Sequence, residues 1–369
     1  MTSAEGPQSA TDDEALRELR QAIDATDGEI LALLQKRAGL ALKVGEVKQR
    51  TGSPVYRPER EAAIFARLRQ RSDGPLGGEA LVRVWRQVIS ACRELERRMR
   101  VAFLGPVGTY SEMAVMRHFG GGVEAIACPS IDEVFRATEA GMADFGVVPV
   151  ENSSEGAVSR TMDLLLDTTL TVSGEVLVPI HHCLMGRQER PDQIKTVCSH
   201  PQSLAQCGRW LDANLPDVER RAVSSNAEGA RMAGEDPSLA AIAGEGAADL
   251  YKLGILRHGI QDNPDNRTRF LVIGRYVCAP SGDDQTSLIV SVPDRAGAVH
   301  SLIEPLARHS VSMKRFESRP ARRRGWEYFF YIDLLGHADD PEVAAALVEI
   351  RANTTFFKQV GAYPRSGDA

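Results

Sequence analysis

Apolar residues recur with a helical spacing along the first hundred residues. Between Glu14 and Lys48, leucine, isoleucine, valine and alanine return every three or four positions, until Thr51-Gly52-Ser53-Pro54 interrupts the pattern. This spacing predicts one long amphipathic helix and two shorter ones. The predicted helices span residues 14–48, 56–70 and 79–99. A helix of that length cannot bury its apolar stripe alone, so we expect partner helices, which a second subunit could supply.

At Val101 the pattern changes to short apolar runs that alternate with helical segments. The predicted strands span residues 101–104, 123–127, 145–150, 170–178, 195–198, 239–242 and 270–273. Such an alternation is typical of an α/β domain with largely parallel sheets. After the linker-like residues 279–284, the order of predicted elements becomes βαββαβ, which is the ferredoxin-like arrangement. We therefore expect three domains, over residues 12–100, 101–278 and 285–364.

The net charge and the cysteine content argue against several classes of protein. A net charge of -6 argues against nucleic acid or an anionic membrane as the main partner. The polar, acidic start predicts no secretory signal, and no apolar stretch is long enough to span a bilayer. Six scattered cysteines without a C-x-x-C pair favour reduced thiols in the cytoplasm. The run His181-His182-Cys183 could ligate a metal, but its apolar neighbours favour a buried strand, and no metal site is predicted.

Several cations lie among the apolar residues of the first helix. Arg37 and Lys48 are eleven residues apart, about three turns, and therefore share one face. Arg20 points roughly 100° away by the same geometry, so it can serve a different site, such as one in a partner subunit. The alternative is that these side chains snorkel from a solvated stripe.

Four polar motifs follow predicted strands in the second region. Gly105 to Ser111 forms a glycine-rich turn that opens a helix, where backbone N–H groups can bind an anion. Glu151-Asn152 ends one strand, and Ser199 to Gln206 follows another. Thr268 lies between two arginines, and its hydroxyl can donate to a leaving oxygen while the arginines hold an anion. Each motif alone is also compatible with ordinary loop chemistry.

The helical region resembles the all-helical chorismate mutase family. The resemblance rests on Leu19-Arg20, Asp24, residues 30–34, Arg37, Val44-Gly45, Lys48 and residues 54–61. That family forms an intertwined helical dimer and rearranges chorismate to prephenate, without a nucleophile or cofactor. The enzyme holds a dicarboxylate in a folded conformation and stabilises the charge that grows on the ether oxygen.

The mutase resemblance implies a role for individual residues. Arg20 of the partner subunit and Arg37 would clamp the carboxylates, and Lys48 would donate to the ether oxygen. Glu61 would take the ring hydroxyl, and Arg60 would support the polar network. Three further positions complete the expected chorismate site and depart from the common bacterial pattern: Arg57 where an aspartate is frequent, Cys92 in place of a serine, and Glu96 where a glutamine often contacts the ether oxygen.

The four motifs of the second region together resemble prephenate dehydratase. This resemblance implies two α/β lobes around a cleft, as in a periplasmic binding protein, and conversion of prephenate to phenylpyruvate with loss of carbon dioxide and water. Thr268 would donate to the departing hydroxyl, and Glu151 would orient the site. The substrate would be held by hydrogen-bond donors from Thr109, Ser111, Asn152, Ser199, Gln206 and Arg269.

The third region resembles the amino-acid-binding ACT domain. The resemblance rests on the turn Gly297-Ala298-Val299 and the segment Glu317-Ser318-Arg319-Pro320 within the βαββαβ order. Bare N–H groups at the turn could take an amino acid's carboxylate, and phenylalanine is the implied effector.

Taken together, the resemblances predict a multidomain enzyme of phenylalanine biosynthesis: an all-α mutase domain, a two-lobed α/β dehydratase domain and a ferredoxin-like regulatory domain. Its expected ligands are chorismate, prephenate and phenylalanine, with no cofactor and no metal, in a homodimer or larger homo-oligomer. Two alternatives remain open: a non-catalytic amino-acid or carboxylate sensor, and a dehydratase whose mutase domain is inactive.

Overall fold

The computed structural model describes residues 7–320 and 328–367. Its first part is helical and consists of α1 (Pro7–Thr51), α2 (Pro58–Gln70) and α3 (Gly78–Glu96). Proline at the first position and acidic residues in the first turn favour the start of α2. Phe65, Val82 and Ile89 form a small core between α2 and α3. The predicted extension of the third helix to Met99 is wrong, because Met99 is buried in the next domain as the first residue of a strand.

The central part contains eleven strands and seven helices among the described residues. The strands are β1 (Met99–Leu104), β2 (Val123–Cys128), β3 (Phe145–Asn152), β4 (Gly156–Ala157), β5 (Thr171–Pro179), β6 (Cys183–Gly186), β7 (Thr196–Ser199), β8 (Glu219–Ala222), β9 (Leu239–Ala243), β10 (Gly254–Arg257) and β11 (Arg267–Gly274). The helices are α4 (Tyr110–Phe119), α5 (Ile131–Glu139), α6 (Ser159–Asp167), α7 (Pro201–Gln206), α8 (Gly208–Asn214), α9 (Asn226–Glu235) and α10 (Gly246–Tyr251).

These strands form two sheets, and each sheet is the centre of one lobe. The first has the order β2-β1-β3-β11-β5, with β4 beside β3, and the second has the order β10-β6-β9-β7-β8. The chain passes to the second lobe after β5 and returns with β11. Because a returning strand enters from the other lobe, β11 runs antiparallel to both β3 and β5. The sheets are therefore mixed, and the prediction of largely parallel sheets is wrong in this respect.

The C-terminal part confirms the predicted ferredoxin-like order. Its elements are β12 (Asp284–Ser291), α11 (Ala298–Arg308), β13 (Met313–Pro320), β14 (Tyr328–Leu335), α12 (Pro341–Ala352) and β15 (Phe356–Pro364). The antiparallel sheet has the order β13-β14-β12-β15. One face is covered by α11 and α12 through the cluster around Leu302, Ile332 and Ile350. The predicted fold class, with a helical domain, a two-lobed α/β domain and a ferredoxin-like domain, is confirmed.

The other face of the C-terminal sheet packs on the first lobe. Ile289, Tyr331 and Val360 join the core of that lobe. The Tyr331 hydroxyl donates to the carbonyl oxygen of Met162 (2.9 Å), and Lys358 Nζ donates to carbonyls in the last turn of α6. A cation at a helix C-terminus interacts favourably with the helix dipole. The C-terminal sheet is thus fixed to the lobe that carries β3 and β11.

The helical part also contacts the first lobe. Tyr56 is buried against Phe119 and Phe145, and the Arg93 guanidinium donates to the carbonyl oxygen of Phe119. The Tyr276 hydroxyl donates to Glu59 Oε1 at 2.8 Å. Among the described residues, no helix is both long and apolar enough to cross a membrane.

Candidate active sites

A cavity of about 760 Å³ lies between the two lobes of the central domain. Leu104, Cys128 and Asn152 reach it from the ends of β1, β2 and β3, and Thr268 reaches it from the start of β11. All four positions are at one edge of the first sheet, because β11 is antiparallel to β3. In open α/β sheets, ligands bind in the crevice beyond this edge.

Thr268 and Asn152 are directly paired in that crevice. They are cross-strand partners on β11 and β3, and Asn152 Nδ2 donates to the Thr268 hydroxyl oxygen at 2.9 Å. The Asn152 amide is oriented because its oxygen accepts from the backbone N–H groups of Ser154 and Glu155. Since Thr268 accepts this bond with an oxygen lone pair, its own hydrogen remains available for a ligand.

Gln206 is oriented by two side chains that the sequence did not assign to the cleft. Its Oε1 accepts from Asn266 Nδ2 at 3.1 Å and lies 3.0 Å from His182 Nε2. Both of these bonds are on the oxygen. The Gln206 NH₂ group donates one hydrogen to Glu155 Oε1 at 3.4 Å and keeps the second for a ligand. Burial lowers the pKa of His182, so the ring is neutral and its Nε2–H can be the donor. His182 Nδ1 lies 3.1 Å from the Tyr110 hydroxyl, and both side chains line the cleft.

The cleft presents two helix N-termini to a bound anion. Thr109 and Ser111 line it at the start of α4, and Ser225 and Asn226 line it at the start of α9. Within the described part of the chain, no lysine or arginine lines this cavity. Helix N-termini favour negative charge through their unpaired N–H groups and the helix dipole. The cleft can thus hold carboxylates without a guanidinium group.

Arg269 and Glu151, both expected to bind prephenate, lie outside the cleft. Arg269 Nε and NH1 form ion pairs with Glu175 (2.7 Å) and Asp333 (2.6 Å), while Glu151 pairs with Arg315 of the C-terminal domain (3.1 Å). Successive side chains in a strand point to opposite faces. Because Thr268 and Asn152 face the cleft, Arg269 and Glu151 face the C-terminal sheet. The prediction that two guanidinium groups flank the Thr268 hydroxyl is therefore wrong.

Ser199 is also placed away from the cavity. It is fully buried, and its hydroxyl lies 2.8 Å from Asn226 Oδ1 and 2.7 Å from the carbonyl oxygen of Ile242. The hydroxyl therefore fixes Asn226, which does line the cavity. The expected direct contact of Ser199 with a ligand is replaced by this indirect role. The expected residues that do line the cleft are Thr109, Ser111, Asn152, Gln206 and Thr268.

The helical domain brings part of its predicted site together. Lys48 Nζ contacts Glu96 Oε2 and donates to the carbonyl oxygen of Val55, each at 2.9 Å. Gly45 allows α3 to approach α1 this closely, because a Cβ there would lie 3.0 Å from Glu96 Cγ. Cys92 is buried one turn before Glu96 on α3. These residues cluster at the C-terminal end of α1.

The remaining predicted mutase residues have other neighbours. Glu61 pairs with Arg93, and burial, opposed by that arginine, raises the pKa of Glu61. Arg57 is half exposed and pairs with Glu59 at 2.8 Å. Arg60 is exposed. Arg93 was not predicted from the sequence, since its partner Glu61 is thirty-two residues away.

Arg20 is remote from this cluster within one chain. It lies twenty-eight residues before Lys48 on the same continuous helix, a separation of about 42 Å at 1.5 Å per residue. Along this helix the large apolar side chains are exposed: Leu16, Leu19, Ile23, Ile30, Leu31, Leu33, Leu34, Leu40, Leu42, Val44 and Val47. Such a row of exposed apolar residues marks an interaction surface.

The two expected effector segments lie at one end of the C-terminal sheet. Gly297 has φ +80° before α11, a conformation that favours glycine, while Ala298 is buried and Val299 is exposed. The end of β12 leads to the turn at Gly297, and Val290 near that end is the register partner of Phe330. Ser318 of β13 is the register partner of the same residue. The end of β12 and the second effector segment are therefore separated by one strand, or about 10 Å.

Within β13 the side chains of the second effector segment alternate between two faces. Glu317 and Arg319 are half-buried, and Arg319 reaches Asp163 of α6 at 3.4 Å. Ser318 and Pro320 are exposed on the other face.

Three family models match the chain in succession. They are chorismate mutase type II over residues 19–97, prephenate dehydratase over 101–277 and the ACT domain over 286–352. A Neisseria gonorrhoeae protein named bifunctional chorismate mutase/prephenate dehydratase is 48% identical over 359 residues, which cover 96% of this chain and 99% of that protein. The chain belongs to the bifunctional chorismate mutase/prephenate dehydratase family.

Solved structures extend the likeness to the central and C-terminal domains. A prephenate dehydratase from Arthrobacter aurescens, in complex with L-Phe, matches with a TM-score of 0.67 and 35% identity, over 72% of this chain and 90% of that one. GqqA, described as a novel type of quorum quenching acylase, also matches with a TM-score of 0.67, at 28% identity over 73% of this chain and 98% of that one. Most of this chain thus shares its fold with both structures.

Proposed function

We propose that this protein rearranges chorismate to prephenate and then converts prephenate to phenylpyruvate, under feedback inhibition by phenylalanine. The mutase domain begins at residue 12 and ends before Met99, where β1 starts, rather than at residue 100. The dehydratase domain continues to residue 278, and residues 285–364 form the regulatory domain. Neither reaction requires a cofactor. The observation that carries the dehydratase assignment is the pairing of Thr268 with Asn152 at 2.9 Å in the cleft.

This pairing suits the chemistry of the second reaction. The electron pair of the breaking carbon–carboxylate bond enters the ring, which becomes aromatic as the C4 hydroxyl leaves with its own electron pair. The Thr268 O–H donates a hydrogen bond to the departing oxygen, which leaves as hydroxide and takes up a proton to become water. Threonine is a weak acid, so electrostatic preorganisation supplies much of the acceleration.

The substrate carboxylates are bound by neutral donors. The donors that line the cavity are the Gln206 NH₂ group, the Ser111 hydroxyl and the N-termini of α4 and α9. The Thr109 hydroxyl lines it too but donates to the carbonyl oxygen of Pro106 at 3.0 Å, so Thr109 contributes through its place at the start of α4. Weak donors suit a carboxylate that must leave as carbon dioxide, because a strong ion pair would stabilise the bound ground state more than the transition state.

The mutase site combines residues from two subunits. Lys48 donates to the ether oxygen beside Glu96, Arg37 of the same helix holds a carboxylate, and Glu61 accepts the ring hydroxyl. The resemblance also assigns Arg57, Arg60 and Cys92 to the chorismate site. The partner's long helix covers the exposed apolar row of α1 and brings its own arginine at position 20 to the second carboxylate. Two observations support this assignment. The apolar row of α1 is exposed, and Arg20 lies about 42 Å from Lys48 along the same helix, at about 1.5 Å per residue.

Separate assays of the two reactions test the proposal. Purified protein is given chorismate in one assay and prephenate in the other, and chorismate consumption and phenylpyruvate formation are measured with and without phenylalanine. The proposal expects both activities and inhibition of the second reaction. A carboxylate sensor would show neither activity, and a dehydratase with an inactive mutase domain would act on prephenate alone.

A further inference from the structure

Four charged residues form a complementary contact between the dehydratase and regulatory sheets. Glu151 and Arg269 are cross-strand partners on β3 and β11, and Arg315 and Asp333 are cross-strand partners on β13 and β14. Across the interface, Arg315 Nε lies 3.1 Å from Glu151 Oε2, and Arg269 NH1 lies 2.6 Å from Asp333 Oδ2. Each sheet thus presents one anion and one cation to the opposite charges of the other. We call these four residues the charged quartet.

On the dehydratase side, the charged quartet is one residue from the catalytic pair. Glu151 precedes Asn152 in β3, and Arg269 follows Thr268 in β11. The register pairs Glu151 with Arg269 and, next to it, Asn152 with Thr268. A shift of β3 against β11 at the quartet therefore changes the Asn152–Thr268 hydrogen bond. The regulatory sheet contacts both strands through these ion pairs, on the face opposite the cleft.

On the regulatory side, Arg315 has a second carboxylate partner. Its NH2 group also pairs with Glu317, two residues further along β13 and on the same face. Glu317 begins the segment expected to bind phenylalanine. An amino-acid ligand carries an ammonium group, and a carboxylate is its natural partner. One guanidinium group therefore connects the effector segment to the strand that carries Asn152.

The two ion pairs of the charged quartet differ in how firmly they are held. Arg269 is also bound by Glu175 and by the Tyr363 hydroxyl, and Asp333 accepts from Ser287 at 2.6 Å. The Asp333 side chain is 8% exposed, whereas that of Glu151 is 38% exposed. The Arg269–Asp333 pair is therefore the fixed part of the contact, and the Arg315–Glu151 pair is the part that can change.

We propose that Arg315 is a positioning residue that transmits effector binding from Glu317 to Glu151, and through β3 to Asn152 and Thr268. The inference rests on the proposed function, since it assumes that phenylalanine binds the regulatory domain. An ammonium group at Glu317 competes with the Arg315 guanidinium for one carboxylate and places a second positive charge beside it. The Arg315–Glu151 contact then differs between the free and bound enzyme, as an effector's differential action requires.

The test separates effector binding from its effect on the reaction. Full-length Arg315→Met, Glu151→Gln and the double variant are compared with the parent and with Arg308→Met. Arg308 is a matched control, because it pairs with Glu304 and Glu349 within the same domain, away from the interface. Dehydratase kcat/KM is measured with and without saturating phenylalanine, phenylalanine binding by calorimetry, and mutase activity as a check of folding.

Arg315→Met and Glu151→Gln should still bind phenylalanine. In the parent, the ratio of uninhibited to inhibited kcat/KM should be about 5–150-fold, and in both variants this ratio should fall towards one. The double variant should match either single variant, because the two changes remove the same contact. Arg308→Met should remain inhibited like the parent. Retained inhibition in Arg315→Met, additive effects in the double variant, or loss of phenylalanine binding itself would each overturn the coupling role. A parent that does not bind phenylalanine would instead refute the proposed effector, and the inference with it.

Discussion

Thr268 and Arg269 are neighbours in β11 but act on opposite faces of the strand. The Thr268 hydroxyl accepts from Asn152 at 2.9 Å in the cleft, while the Arg269 guanidinium pairs with Glu175 and Asp333 under the regulatory sheet. One strand thus carries the proposed catalytic hydroxyl on one face and, on the other, the arginine that pairs with the C-terminal domain. Substitutions at these adjacent positions should have different consequences.

Thr268→Ala should abolish most dehydratase turnover and leave mutase activity intact. The change removes the O–H that donates to the departing hydroxyl, and the loss of such a donor typically costs about 10²-fold or more in kcat. Thr268→Ser keeps the O–H and should keep most of the activity. The two activities are assayed separately. Equal loss of both activities in Thr268→Ala, or loss of neither, would contradict the assignment.

Arg269→Met should instead act on stability. Removing one partner of a buried ion pair leaves the other charge uncompensated, at a cost of about 3–5 kcal/mol. Here two carboxylates, Glu175 and Asp333, would lose their shared partner. The measurement is the denaturant midpoint of the central and C-terminal domains. Arg267→Met, at an exposed position of the same strand, is the control and should change this midpoint little.

Arg20→Ala and Lys48→Ala should complement each other when their subunits are mixed. Each variant alone should lack mutase activity, because every site in the proposed dimer takes position 20 from one subunit and Lys48 from the other. A mixed dimer has one site with both changes and one intact site. Random association should therefore restore about a quarter of the parental sites. No recovery after verified subunit exchange would argue against a shared site.

Glu96→Gln should keep mutase activity at a pH where that of the parent has fallen. In the structure Glu96 Oε2 lies 2.9 Å from Lys48 Nζ. The Glu96 side chain is therefore next to the ammonium group that is expected to donate to the ether oxygen. A carboxyl group can donate to that oxygen only when protonated, whereas a glutamine amide donates at every pH. The measurement is kcat/KM for chorismate against pH for both proteins. A flat parental profile, or an equally steep one in Glu96→Gln, would rule this out.

The sequence predicts the three folds, and it indicates Asn152 and Thr268 as cleft residues, because both predictions depend on local patterns. Apolar spacing identifies the helical, α/β and ferredoxin-like parts, and a polar residue at a strand end identifies Asn152 and Thr268. Period-two alternation would also have shown that Arg269 and Glu151 point away from the cleft. The expectation that the Arg269 guanidinium lies beside the Thr268 hydroxyl is wrong because β11 already begins at Arg267, so Thr268 and Arg269 point to opposite faces.

Other parts of the sites depend on contacts between distant segments. His182, Asn266 and Gln206 meet only because both crossover segments enter the cleft, and no spacing in the sequence indicates this. The same holds for Arg315 and Glu151, which belong to different domains. For His182 there was one available signal, since a histidine in an otherwise apolar run is a polar group that needs a buried partner.

The contact between Tyr56 and His118 should make the enzyme sensitive to acid. The Tyr56 hydroxyl lies 2.6 Å from His118 Nε2, where the helical domain meets the first lobe. Burial, together with Arg86 and Arg93, lowers the pKa of His118 to about 3. In the unfolded chain the ordinary value is about 6.5. Between these two values the unfolded state binds a proton that the folded state excludes. The stability from neutral His118 is therefore complete above about pH 6.5 and falls as the pH drops towards 3.

His118→Gln removes this titration while an amide can still hydrogen-bond to Tyr56. The free energy of unfolding should decrease less steeply with acidification in His118→Gln than in the parent. The difference in slope should reach at most about 1.4 kcal/mol per pH unit, the value for one proton. His300→Gln, a histidine on an exposed face of α11, is the control and should follow the parent. If the curves of parent and His118→Gln run parallel between pH 6.5 and 4, His118 does not contribute to acid sensitivity, and the domain contact is insensitive to its charge.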